Sequence, residues 1–99
     1  MTIHKNNPAQ TEEWFYLSLR EVTYTFGVST ETIIEIVNEG IVSAQKDDQD
    51  ELQFDNEAFR RIHKVLSLTK DLGVNLAGAG LAIELLEEID RLQKLLQTK

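Results

Sequence analysis

The chain has 99 residues, 41% of them hydrophobic and 27% charged, an ordinary globular composition near the size of one small domain. It has no cysteine, which excludes disulfide stapling, thiolate metal sites and thiol catalysis and makes a reducing, cytoplasmic compartment the default expectation. Its net charge of −7 is unevenly placed: Thr30 to Glu57 holds Glu31, Glu35, Glu39, Asp47, Asp48, Asp50, Glu51, Asp55 and Glu57 against the single base Lys46. That segment alone is −8 and the remainder +1, a density that repels phosphate backbones and attracts basic proteins, or else serves only as a solvated face.

The organisation expected is a polar N-terminal tail over residues 1–13 and a domain over 14–99. The tail has no apolar h-region, and no stretch approaches about 18 uninterrupted apolar residues, so neither a signal peptide nor a membrane span is expected. Trp14, Phe15, Tyr16 and Leu17 have the composition of a brief strand. Ser18 with Glu21 three residues later forms a capping box and starts a helix over Leu19 to Thr25, burying Leu19, Val22 and Phe26 and broken by Gly27. Ser29 caps a second helix, roughly Thr30 to Glu39, with Ile33, Ile36 and Val37 inward and Glu31, Glu35 and Asn38 outward. Helix, tight glycine turn, helix is the helix-turn-helix pattern.

Gly40 stops the second helix, and Ile41 and Val42 are expected to resume an extended course. A polar, acidic stretch from Gln45 to Glu51 precedes the alternating Leu52, Gln53 and Phe54, a hairpin or wing whose returning strand can pair with the first strand. Asp55 caps a third helix with Phe59, Ile62, Val65, Leu66, Leu68 and Leu72 at helical spacing and Arg60, Arg61 and Lys64 outward, ending at Gly73. Asn75 caps a last helix over 76–97, with Gly78 and Gly80 near its start read as sites of close packing on another backbone. Ala82, Leu85, Ile89, Leu92 and Leu96 follow heptad spacing, and Leu81, Leu86 and Leu95 widen the stripe beyond one seam. A homodimer through this helix is expected, the alternative being a core helix packed on its own domain.

Catalytic chemistry finds no constellation. His4 and His63 lack companions for a ligand set, the acidic loop lacks the glycine and closing glutamate of a calcium loop, and Gly78 and Gly80 precede no Lys-Ser/Thr of a phosphate loop. No enzyme, no metal and no cofactor are expected. DNA binding, the usual service of a helix-turn-helix, needs Arg, Lys, Asn or Gln on the outward second helix and bases in the wing. Acids stand in those places, and the remaining candidates for a phosphate contact are Arg60, Arg61 and Lys64.

The order Ser18-Leu-Arg-Glu-Val, Phe26-Gly-Val-Ser-Thr-Glu-Thr-Ile and Glu39-Gly-Ile-Val resembles the first two helices and turn of the MerR-type helix-turn-helix family. Phe54-Asp-Asn-Glu-Ala-Phe-Arg-Arg-Ile and Asp71-Leu-Gly-Val-Asn-Leu resemble its helix after the wing and the start of its last helix. The implied fold is mainly α, a MerR-like winged helix-turn-helix with a small β-wing and a long C-terminal helix. The departures fall where that family touches DNA: its Arg-Tyr-Tyr-like run corresponds to Ile34, Glu35 and Ile36, and its basic wing is acidic here.

Small size, the acidic helix and the run Glu35-Ile-Val-Asn-Glu-Gly-Ile-Val are similar to the CbpM chaperone-modulator family. That resemblance implies a non-enzymatic protein that binds the J-domain of a DnaJ-like co-chaperone (CbpA) and inhibits its cooperation with Hsp70 (DnaK). J-domains present a basic helix, which the acidic segment suits. The expected partner-binding residues are Glu31, Glu35, Ile36, Glu39, Ile41, Val42, Asp47 and Asp48, with the apolar members as anchors. The alternatives are a MerR-like DNA-binding transcriptional regulator, and an adaptor of the toxin-antitoxin or phage type that uses the last helix only to dimerise.

Overall fold

A computed structural model of the chain describes residues 15–97; the tail expected over 1–13, with His4, and also Trp14 lie outside the described residues. The described chain contains four helices and a three-stranded antiparallel sheet, and it divides into two compact units at His63/Lys64. The architecture is the mainly α helix-turn-helix with a small β-wing and a long C-terminal helix that the sequence implies.

In the first unit, strand β1 (Tyr16–Ser18) leads directly into helix α1 (Leu19–Phe26). The junction is held by the reciprocal capping box: the Glu21 amide donates to Ser18 Oγ at 3.1 Å and the Ser18 amide donates to Glu21 Oε1 at 2.8 Å. Gly27 ends α1 at φ +66°, a left-handed conformation that lets its amide donate to the Thr23 carbonyl. Ser29 then caps helix α2 (Thr30–Asn38), its Oγ accepting from the Thr32 amide at 3.1 Å.

After α2 the structure departs from expectation, because Ile41 and Val42 form a bend and not a strand. The strand begins later, within the polar stretch, as β2 (Gln45–Lys46), and β3 (Leu52–Asp55) returns from the wing. The sheet order is β1-β3-β2, with Leu17 opposite Phe54 and Lys46 opposite Leu52, so the returning strand does pair with the N-terminal one. Gly40 at φ +78° and the Ile41 amide donating back to the Ile36 carbonyl at 3.2 Å turn the chain off α2, and Arg61 Nε, donating to the Ile41 carbonyl at 2.8 Å, pins the bend to the next helix. Arg61 is therefore half-buried and structural, not the outward cation the sequence suggested.

Helix α3 (Asn56–Leu72) is capped by Asp55, whose Oδ1 accepts from the Ala58 amide at 2.9 Å. Asn56, itself 3% exposed, accepts from the Phe15 amide through Oδ1 at 2.8 Å and ties β1 to the start of α3. The core of this unit is built from Val22, Ile33, Ile36, Phe54, Phe59 and Ile62, each at most 3% exposed. Phe26 lies over Phe59 with ring centroids 4.8 Å apart, and His63 stacks on Phe26 at 6.0 Å.

The second unit holds the end of α3 and helix α4 (Leu76–Gln97). Asn75 caps α4 by accepting from the Gly78 amide at 2.7 Å. A Cβ added at Gly78 would meet the cap oxygen itself at 3.1 Å, so glycine there makes room for the cap and not for another backbone. Ala79, Gly80 and Ile83 are buried, and every described residue of α4 from Glu84 onward is exposed.

Candidate protein-docking site

A dense acidic surface is the feature of the first unit that invites a partner. Along α2, Glu31, Glu35 and Asn38 are exposed, as is Glu39, which caps the helix C-terminus. They share the outward side because Ile33 and Ile36 occupy the inward stripe at helical spacing. Asp47, Asp48, Asp50 and Glu51 are exposed on the wing.

The wing acids are not equivalent. Asp47 Oδ1 accepts from the amides of Gln49 and Glu51, both at 2.9 Å, and its Oδ2 accepts from Gln53 Nε2 at 3.2 Å. Its carboxylate therefore shapes the turn. Asp50 adopts φ +66° and faces Lys46 Nζ at 3.5 Å, an exposed pair worth little on its own. Asp48 and Glu51 have no such side-chain bond among those described.

The apolar anchors expected from the sequence are corrected. Ile36 is 0% exposed, and Ile41 and Val42 are 6% exposed, so all three are core residues that hold the acidic scaffold in place. Ile41 and Val42 do reach the floor of a concavity of about 270 Å³, whose walls include Ser43, Asp55, Glu57 and Arg61. Its lining is mainly polar, and Arg61 is already engaged with the Ile41 carbonyl.

An exposed aromatic that sequence reasoning does not single out lies on α1. Tyr24 is 89% exposed, although α1 is otherwise anchored by Val22 and Phe26. The signal was present: Tyr24 is two residues from each, about 200° around the helix from the core stripe. It lines a second, largely apolar concavity of about 720 Å³ with Arg20, Thr23, Gly27 and Val28.

On α4, Leu85, Ile89, Leu92 and Leu96 of the heptad seam are 46–72% exposed, and Ala82 is half-buried. Leu81, Leu86 and Leu95 are exposed beside them. Arg91 and Glu88 bond at 2.6 Å on this helix, and the guanidinium holds the Glu88 carboxyl below its ordinary range.

Among the described residues, no group of three or more His, Asp or Glu is placed to hold a metal ion. No described helix is long and apolar enough to cross a membrane. Residues 17–98 match the family described as MerR HTH family regulatory protein. Relatives named chaperone modulatory protein CbpM, from Salmonella paratyphi A, Salmonella newport and Salmonella dublin, are 35% identical over 68 residues, covering 69% of this chain and 67% of theirs. The chain belongs to the CbpM family. Neither family description names a catalysed reaction, and the CbpM name attaches this scaffold to chaperone modulation. For a CbpM family member, the glutamates on α2 occupy the helix that a helix-turn-helix regulator would place against DNA.

Proposed function

We propose that this CbpM family member is a cytoplasmic chaperone modulator that binds the J-domain of a DnaJ-like co-chaperone (CbpA) and inhibits its cooperation with Hsp70 (DnaK). The observation that carries the reading is the exposed row Glu31, Glu35 and Glu39 on the second helix of the helix-turn-helix, joined by Asp48 and Glu51 on the wing. A negative field there raises the encounter rate with a basic helix and lowers that with phosphate backbones. The same field disfavours the DNA-binding alternative, and of its three candidate phosphate contacts Arg61 is drawn into the fold while Arg60 and Lys64 stay exposed.

Inhibition follows from occupancy: the basic J-domain helix cannot meet the chaperone while it lies against these carboxylates. The test is ATP turnover by Hsp70 stimulated by the co-chaperone. Adding the chain is expected to abolish the stimulation but leave unstimulated turnover unchanged, with Glu35→Lys much weaker as an inhibitor. Undiminished stimulation at saturating chain would end the proposal.

Self-association through α4 is part of the same reading. Burying the exposed remainder of Leu85, Ile89, Leu92 and Leu96 in two copies would contribute roughly 6–12 kcal/mol. That is comparable with the cost of association, about 4–15 kcal/mol. The seam alone is marginal, and the flanking Leu81, Leu86 and Leu95 supply the surplus.

A further inference from the structure

We infer that Tyr24 is the apolar anchor of the docking face, its ring receiving an aliphatic side chain from the basic helix that the α2 glutamates attract. The inference rests on the docking reading above and locates where the affinity of that contact resides. Surface carboxylates set encounter rate and register, whereas lasting affinity comes from a few desolvated side chains near an interface centre, with Tyr prominent among them. Helix α2 offers no large exposed apolar group: Ile33 and Ile36 are fully buried, and Ile34 and Val37 are partly covered.

Tyr24 is of the opposite kind. Among described residues of the first unit, the exposed large apolar side chains are Tyr16, at 45%, and Tyr24, at 89%. Tyr16 lies on the edge strand opposite Asp55 and already has an interaction of its own. Tyr24 stands on a helix fixed at its start by the Ser18–Glu21 capping box and at its end by Phe26 on Phe59. A tyrosine on so rigid a support has two side-chain torsions to lose on binding, a small entropic cost for a large contact area.

The place suits a basic helical partner. The concavity beside Tyr24 is an open one of about 720 Å³, walled by Arg20, Glu21, Thr23, Gly27 and Val28, and an aliphatic side chain can enter it. Gly27, Val28 and Ser29 are the whole connection to α2, whose first turn carries exposed Glu31, with Glu35 one turn further. An aromatic seat and a row of carboxylates thus flank one three-residue turn. A helix with alternating aliphatic and basic positions complements both: α2 carries no base, and Arg20, the base beside the concavity, is offset by the neighbouring carboxylate of Glu21.

The test is surface plasmon resonance of a purified J-domain over the immobilised full chain. Tyr24→Ala is expected to speed dissociation about ten-fold or more. Association rate and salt dependence should stay near wild type, and Tyr24→Phe should retain most of the affinity. Glu35→Lys should slow association instead. The thermal midpoint of Tyr24→Ala is expected to match wild type, because the side chain is solvent-facing. If that variant nevertheless unfolds, the Tyr24 ring resonances of the wild-type chain decide, since they must shift on adding J-domain. Wild-type dissociation from Tyr24→Ala, or ring resonances that do not move, overturns the anchor and leaves the docking reading standing if Glu35→Lys still slows association. No wild-type binding overturns both. A change in the sedimentation of the chain alone in Tyr24→Ala also overturns the anchor, because it assigns the concavity to a second copy.

Discussion

Asp47 and Asp48 are neighbours of identical chemistry with different duties. The first accepts two backbone amides and the Gln53 amide, and the second has no described side-chain bond. An exposed turn bond contributes on the order of 1 kcal/mol, and losing several together at Asp47 is expected to cost about that much. Asp47→Ala should therefore lower the thermal midpoint by roughly 4–8 °C. Asp47→Asn, which keeps the Oδ1 acceptor, and Asp48→Ala should not. Circular dichroism melting checks this, and equal midpoints for all three would contradict the assignment. A charge count treats these aspartates alike, because which carboxylate closes a turn depends on backbone geometry. The same limit hid the role of Arg61: its spacing on α3 gives no sign that Nε reaches a carbonyl 20 residues away.

At the scale of elements, local chemistry read well. Ser18 with Glu21, Ser29, Asp55 and Asn75 each serve as the caps expected of them, because capping is decided within three or four residues. The pairing of β3 with β1 was legible from the strand-favouring composition of residues 14–17 and the alternation of Leu52, Gln53 and Phe54. What was not legible was non-local. Ile41 and Val42 look like a strand by composition, yet the turn at Gly40 and a bond from α3 hold them in a bend and in the core. They were expected to meet a partner together with Ile36, whose helical spacing had already placed it inward, and for Ile41 and Val42 no such spacing separates inward from outward. The α4 seam was legible as a heptad and stands exposed from Leu85 onward. Ile89→Asp is expected to convert a dimer to a monomer in sedimentation velocity at micromolar concentration. Its melting curve should become independent of concentration. A monomeric wild-type chain, or an unaltered dimer in the variant, would refute pairing through this helix.

For the molecule as a whole, the central feature is a helix-turn-helix whose second helix and wing carry the charge of a nucleic-acid mimic instead of a nucleic-acid binder. The remainder of the chain is nearly neutral, so the field is localised on the second helix and wing. Such a surface has a defined dependence on ionic strength, since exposed charges separated by more than about 8 Å are screened at physiological salt. The apolar anchor should be insensitive to it. Isothermal titration of the purified chain with a J-domain, repeated across a salt series and with Glu35→Lys, tests this most directly. Saturable binding that weakens steadily with salt, and a variant that binds less tightly with a shallower salt dependence, are expected. An absence of heat and saturation at low salt, or binding indifferent to both salt and the Glu35 charge, would contradict the account.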